Sequence, residues 1–467
     1  MSPSTKFRWR QAFTSLLLLA GATGAVWVVR DILRQDPARG LTNRNERPVT
    51  LTMTNSVFRS YGADGRLVAE AQVDSIGVTK DRMRVELAGV KQGQFLRPGE
   101  APVGFTAASA VYYPPVETLE GQGAMRVRGK GFDLTSETGK YDGRQGTMDI
   151  RTPVKGMFGP GRIEAKTIRF NTKTNIGVAE KLTYRGKLQD PDVGATRRDW
   201  TIQAERTDLR GRVYIHSRAR ATDGEVIVRA DRIEQNTETQ VITCIGNVRY
   251  WGPDANVQAG RVTIFRRERR AIFGTNVQML VRPKNSPPAK EEPIPPLAPV
   301  VPDEIAKNRP APSADPVAQD PVRDTGNLRQ YPITIRAEQI ETNYARGQRR
   351  AKATGNPQAR QQISPTSWRL AFAPAADFDV EADWLILRST GQGRQVRLIN
   401  SVGDDVMARE IQLSTREGDD RMSAQDLTGT IAIDEEDLPP RSTGGGTGGG
   451  TGGGAGPSLR GPIGTRL

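Results

Sequence analysis

The chain has 467 residues, a length that suits two or three domains. Its formal charge of +14 calls for an anionic partner, such as nucleic acid, anionic lipid or a phosphorylated glycolipid. The single cysteine, Cys244, excludes an intramolecular disulfide framework, so the fold must hold by strand pairing and apolar burial.

In chain order, residues 1–11 form a basic flank with Lys6, Arg8 and Arg10. Residues 12–30 follow as an apolar segment, uncharged over the eighteen residues from Ala12 to Val29, just long enough to span a hydrocarbon core. The flanking cations stay cytoplasmic, which predicts a single-pass inner-membrane anchor with the bulk of the chain in the periplasm. A cleaved signal peptide is the rival, since Ala22 and Gly24 are small, but "VWVV" carries the apolar run beyond them. Export also weakens a nucleic-acid partner, and the aromatic fraction of 6% is not interleaved with the basic runs as a base-stacking platform requires.

From Val49 onward the text is strand-like almost everywhere. "VTLTMTNSVF" alternates Val49, Leu51 and Met53 against Thr50, Thr52 and Thr54, and Asp64-Gly65 signals a tight hairpin. Further strands read in "RMRVELAGV", "GFTAASAVYY", "AMRVRGKGFDL", "RIEAKTIRF", "KLTYRG", "RVYIHSRAR" and "NVQAGRVTIF". No long segment beyond the anchor has helical periodicity. The expected class is all-β with short strands and frequent turns.

A pattern repeats within this text: apolar, any residue, Ala, two residues, apolar. It occurs at Ile163-Ala165-Ile168, at Val228-Ala230-Ile233 and at Ile335-Ala337-Ile340, and more loosely at Ile202-Ala204 and Phe105-Ala107. A glycine pair-mate follows: Gly246-Asn247, Gly355-Asn356, and Gly121 to Gly123. The small alanine lets two strand layers approach, and the later glycine permits a turn or bulge. Such units stack, because one alone cannot bury its apolar face. Residues 283–329 break the pattern as a Pro-rich linker or insertion, the text resumes over 330–433, and 434–467 is an acidic and then Gly-rich flexible tail.

No catalytic constellation is legible. The sole histidine, His216, sits opposite Val213 and Ile215 in register and reads as a strand-surface residue, and one histidine cannot build a zinc site unaided. No nucleophile elbow occurs, and the acidic pairs Asp404-Asp405 and Asp419-Asp420 lack the spacing of a calcium loop, as does the run Asp434 to Asp437. These read as solvated charges. No metal or cofactor is expected. The basic runs Arg266, Arg267, Arg269, Arg270 and Arg349, Arg350 carry two readings: protection of sheet edges, or contact with phosphorylated headgroups.

The residues resemble a known group, the lipopolysaccharide-transport periplasmic bridge family with the OstA-like β-jellyroll. "FRSYGADGRLVAEAQ" and "GFTAASAVYYPPVETLEGQGAMRVRGKGFDLTSETGKYDGRQGTMDIRTPV" make residues 41–190 resemble its membrane-anchored, LptC-like component. "RADRIE", "IGNV" and "VQAGRVTIF" make residues 195–282 resemble its soluble, LptA-like component, with "TIRAEQIET" as a fainter third copy. The resemblance implies a twisted open β-jellyroll of stacked antiparallel sheets behind one N-terminal transmembrane helix. It implies a carrier that holds the acyl chains of lipopolysaccharide or a related glycolipid in an apolar groove and passes it toward the outer membrane. The implied partners are an inner-membrane ABC transporter supplying ATP energy and a jellyroll neighbour joined by edge-strand addition. Groove residues would be Ile163, Ala165, Ile168, Val226, Val228, Ala230, Ile233, Ile335, Ala337 and Ile340; each could equally be plain core. The alternatives are a dry-cored envelope scaffold that binds proteins or cell-wall polymer, and a β-helix polysaccharide-cleaving enzyme. The enzyme would need acids facing one cleft, whereas Lys166, Asp231 and Glu338 at the equivalent position differ in sign.

Overall fold

A computed structural model describes residues 49–188, 198–283, 290–295 and 330–430, apart from short loop gaps. The expected anchor at 12–30 and the tail at 434–467 lie outside the described residues. Among those described, the only helical element is one 3-10 turn, Pro114–Val116, and no helix is long and apolar enough to cross a membrane. The described residues are all-β apart from that turn, as the alternation requires.

Strands β1 (Val49–Tyr61) and β2 (Leu67–Thr79) meet at the turn carrying Asp64-Gly65, closed by the Gly62 amide on the Arg66 carbonyl at 2.9 Å. Next come β3 (Val85–Phe95), β4 (Val103–Tyr113), β5 (Thr118–Gly129) and β6 (Phe132–Asp142), each antiparallel to the one before. Then four half-length strands appear: β7 (Thr147–Ile150), β8 (Val154–Phe158), β9 (Gly161–Ala165) and β10 (Thr167–Asn171). One end of β6 pairs with β8 and the other with β7, and the two branches rejoin on β11 (Ile176–Leu188) through β9 and β10. Long strands resume with β12 (Arg198–Arg210), β13 (Val213–Thr222), β14 (Ile227–Asn236), β15 (Val241–Trp251), β16 (Ala255–Phe265), β17 (Arg270–Val281) and β18 (Ile333–Asn343). β17 pairs with β18 from Arg270↔Asn343 to Val281↔Ile333, so hydrogen bonding continues past the Pro-rich stretch. Ten short strands complete the sheet: β19 (Arg350–Thr354), β20 (Gln358–Gln362), β21 (Trp368–Phe372), β22 (Ala375–Asp379), β23 (Trp384–Arg388), β24 (Val396–Asn400), β25 (Asp405–Ala408), β26 (Glu410–Ser414), β27 (Met422–Gln425) and β28 (Thr428–Thr430). They form two branches from β18, one through β19, β22, β23, β26 and β27, the other through β20, β21, β24, β25 and β28.

Each long strand bends at its middle, and the repeat is the signature of that bend. In β14, Ala230 and Ile233 are buried while Asp231 and Arg232 between them are both exposed. β18 repeats this with Ala337, Glu338, Gln339 and Ile340, and β4 with Ala107, Ala108, Ser109 and Ala110. Two consecutive outward residues break the two-residue alternation and carry the strand over a crease. The neighbouring strands supply an extra residue there. Between the pairs Arg229↔Arg249 and Arg232↔Ile245, two residues of β14 face three of β15, with Gly246 and Asn247 at φ +75° and +45°. The glycine pairs therefore mark bulges within strands, or between half-strands at Gly355-Asn356, rather than turns to the next strand.

The crease folds the sheet onto itself. Phe95, at the end of β3, packs against Tyr141 with centroids 4.6 Å apart and lies 6.4 Å from Tyr112. Tyr112 itself pairs with Val85 at the opposite end of β3, so the two halves of the sheet face one another. Phe158 of β8 against Phe170 of β10 (5.5 Å) and Tyr250 against Phe273 (6.5 Å) join the halves farther along. The copies of the repeat coincide in space. Ile163, Tyr184, Ile202, Ala221, Val228, Tyr250, Val257, Met279 and Ile335 form one cross-strand row on the inner face. Ile168, Ala179, Thr207, His216, Ile233, Cys244, Val262, Phe273 and Ile340 form the other. Every aliphatic side chain fully buried along these rows contributes roughly 1.5–3 kcal/mol.

The bulge is also where single changes bite. A Cβ on Gly246 would stand 2.5 Å from the Asp231 carboxylate, which accepts a hydrogen bond from the Asn247 side chain at 2.8 Å. Gly246→Ala is expected to lower stability by about 1–2 kcal/mol, the left-handed conformation supplying most of it. An unchanged urea midpoint would show that the crease does not depend on this residue.

Candidate functional site: a cavity between the half-sheets

Two large cores divide the molecule. The first runs from β2 to β12 and the second from β12 to β18, with Tyr184 packed against both. Where they meet, the half-sheets form a half-open cavity of about 610 Å³. Its apolar wall is built by Phe158, Ile163, Ile168, Phe170, Leu182 and Leu209, and Tyr184 and Tyr214 add their rings. Four cationic residues, Arg169, Lys187, Arg266 and Arg267, belong to the same lining. The interior is thus apolar with positive charge available, and its volume lies within the roughly 300–1,000 Å³ of small-ligand pockets.

Thr207 and His216 interrupt the apolar row at this place. In the neighbouring strands the same row holds Ile233, Cys244 and Ile340. His216 is only 3% exposed and its Nδ1 lies 2.9 Å from the Thr207 hydroxyl. Burial holds the imidazole neutral and pushes its pKa down to about 4. The strand-surface expectation for His216 is therefore wrong. It does lie opposite Ile215, but the inner face is the one carrying Tyr214 and His216, and the bend at Arg218 (φ +47°) shifts the phase of the alternation. Burial likewise raises the pKa of the Tyr184 and Tyr214 phenols, and pushes the Cys244 thiol up to about 12. Cys244 is the small buried hydrophobe the sequence suggests.

Of the groove candidates, Ile163 and Ile168 line the cavity. Ala165 lies in the first core, while Ala230, Ile233, Ala337 and Ile340 lie in the second, with Val228 and Ile335 packed against it. Val226 belongs to the β13–β14 turn, where its amide donates to Asp223. Of the basic candidates, Arg266 and Arg267 reach the cavity; their guanidiniums also donate to the Gln240 side chain and the Glu238 carbonyl. Arg269 sits in the same hairpin, its amide on the Arg266 carbonyl. Arg270 pairs with Glu268 and Glu341, Arg349 with Glu381, and Arg350 with Asp379, so these serve the sheet. Nor do the runs protect free edges: β17 and β19 are paired on both sides. Asp405 is no solvated loop charge either, being half-buried in a two-pronged pair with Arg397 at 2.8 Å. Sequence reasoning missed Tyr184, Tyr214, Leu182, Leu209 and the Thr207–His216 pair; the available signal was a polar residue where the repeat has Ile.

No protein family's profile matches the chain, and no curated protein matches it. Among solved structures, one similar chain is LptH of Pseudomonas aeruginosa, the LptA-homologous periplasmic component of the lipopolysaccharide transport device. It shares 9% identity over 38% of this chain and 95% of its own, with a TM-score of 0.24. A likeness at that score does not set the fold, which rests on the strand pairing above.

Proposed function

We propose that this protein is a non-catalytic, membrane-anchored periplasmic carrier for lipopolysaccharide or a related glycolipid. The observation that carries this reading is the cavity: apolar walls suited to acyl chains, with Arg169, Lys187, Arg266 and Arg267 suited to a phosphorylated headgroup. The repeat motifs and their resemblance to the lipopolysaccharide-transport bridge family point the same way. The open edge of β1 supports delivery to a jellyroll neighbour by strand addition, since among the described residues it pairs only with β2 and leaves Leu51 and Met53 exposed. Energy for directional movement would come from an inner-membrane ABC transporter.

The test uses a photoreactive phenylalanine analogue at Tyr184, an aromatic position inside, and at Arg185, its outward neighbour. Glycolipid adducts are expected at 184 and not at 185 in cells that make lipopolysaccharide. Leu182→Trp, which fills the cavity, is expected to reduce the adduct at 184 about tenfold. Folded protein that yields no adduct at 184 or at Tyr214 would sink the carrier reading. The scaffold reading would then stand, favoured by the packed rings of Phe95, Tyr112 and Tyr141 in the first core.

A further inference from the structure

The outer face of the second core carries an arrangement that lipid carriage does not use. Arg220, Arg229 and Arg249 are direct cross-strand neighbours on β13, β14 and β15. They face outward, because the adjacent Ala221, Val228 and Tyr250 face in. Three like charges side by side repel. Glu291, from the Pro-rich stretch, relieves two of them: it pairs with Arg220 at 2.7 Å and also with Arg229. The next residue fixes the segment's direction, its carbonyl accepting from the Trp251 indole at 2.7 Å. Two positions on, Ile294 is buried. The segment Glu291-Glu292-Pro293-Ile294 thus lies against the sheet like a bound peptide.

The fit is incomplete in two respects. Arg249 is exposed and has no acidic partner among the described residues. Asn256, the cross-strand partner of Trp251, is 5% exposed and its side-chain oxygen has no hydrogen-bond donor. A buried amide oxygen without a donor is costly. A ligand with a second acid toward Arg249 and an N–H toward Asn256 would satisfy what the internal segment leaves open.

We propose that the face formed by Arg220, Arg229, Arg249, Trp251 and Asn256 is a docking site for an acidic extended peptide of a partner protein, and that residues 290–295 occupy it as a displaceable internal ligand. The Glu291 carboxylate, the Glu292 carbonyl and the buried Ile294 are what this face already holds, and a second acid would meet Arg249. Proline keeps such a segment extended without requiring a donor of its own. Nothing in this inference depends on the cavity holding lipid.

The experiment measures fluorescence anisotropy of a labelled peptide with the sequence of positions 288–297, titrated with the full chain. In the released variant Glu291→Gln/Ile294→Ser the peptide is expected to bind about tenfold more tightly than to the wild type, whose site is already filled. Arg229→Glu in the released background should remove that gain, and a peptide with both glutamates changed to glutamine should bind at least about tenfold more weakly. Glu291→Gln alone, the milder change, serves if the double variant melts early, and Trp251→Phe should weaken binding without touching charge. Equal binding of acidic and neutral peptides, no binding to the released chain, or displacement of the peptide by inorganic phosphate at matching concentration would each overturn the assignment.

Discussion

Gly156→Ala is expected to destabilise the fold by about 3 kcal/mol. Gly156 lies on β8 between Leu134 of β6 and Ile163 of β9, inside the branch that carries the cavity wall. Its φ is +156°, and a Cβ built there would stand 2.0 Å from the Asp133 carbonyl oxygen and 2.9 Å from the Leu134 Cα. Both neighbours are backbone atoms held in a ladder, so no side-chain rotation can relieve the contact. The strand would have to move away from β6, taking Phe158 and Ile163 with it, and both line the cavity. The urea midpoint of the full chain gives the stability, with exposed Lys155→Ala as the comparison. A Gly156→Ala midpoint equal to that of Lys155→Ala would mean that β6 and β8 do not pair as described.

That prediction depends on a distinction the sequence carries only in part. Strand content, the Asp64-Gly65 hairpin and the inner-face residues of the repeat are legible because alternation is local. The step from Ala230 to Ile233 is legible too, but its meaning is not: a break in alternation reads equally as a turn, and only pairing shows that β14 continues through it. His216 reads as outward because Val213 and Ile215 beside it are apolar, yet the inner face of this stretch carries Tyr214 and His216. Ala219 and Ala221 are inward only because the strand bends at Arg218, which gives no compositional sign of bending. The cavity was illegible for another cause. Phe158, Leu209 and Arg266 come from distant strands and meet only because the sheet folds on its crease. The arginine row follows the same logic, since hairpin lengths and bulges bring positions 220, 229 and 249 side by side. Glu291 reads in the sequence as spacer, and only its two partners reveal a role.

Acid is expected to weaken the fold through His216. The chain has one histidine, so between pH 6.5 and 5 this side chain dominates the titration. Burial pushes its folded pKa down to about 4, against about 6.5 in the unfolded chain. The folded state therefore binds fewer protons across that window. Its full stability is present above pH 6.5 and falls as pH drops toward 4, a loss of about 3 kcal/mol if the imidazole stays buried. Two paired carboxylates are shifted away from this window. Arg206 holds the Asp208 carboxyl below its ordinary value, and Arg126 does the same for Asp133, so both titrate lower. The double variant Thr207→Val/His216→Ile restores the apolar row seen at Ile233 and Ile340 without leaving a hydroxyl unpaired. Urea stability of the wild type should fall from pH 7.5 to 5, while that of the variant should stay level. Parallel profiles would place the imidazole in water, contrary to its contact with Thr207. A neutral histidine also keeps this wall of the cavity uncharged at neutral pH, which is the condition the proposed acyl chain would require and which leaves the positive charge to Arg169, Lys187, Arg266 and Arg267.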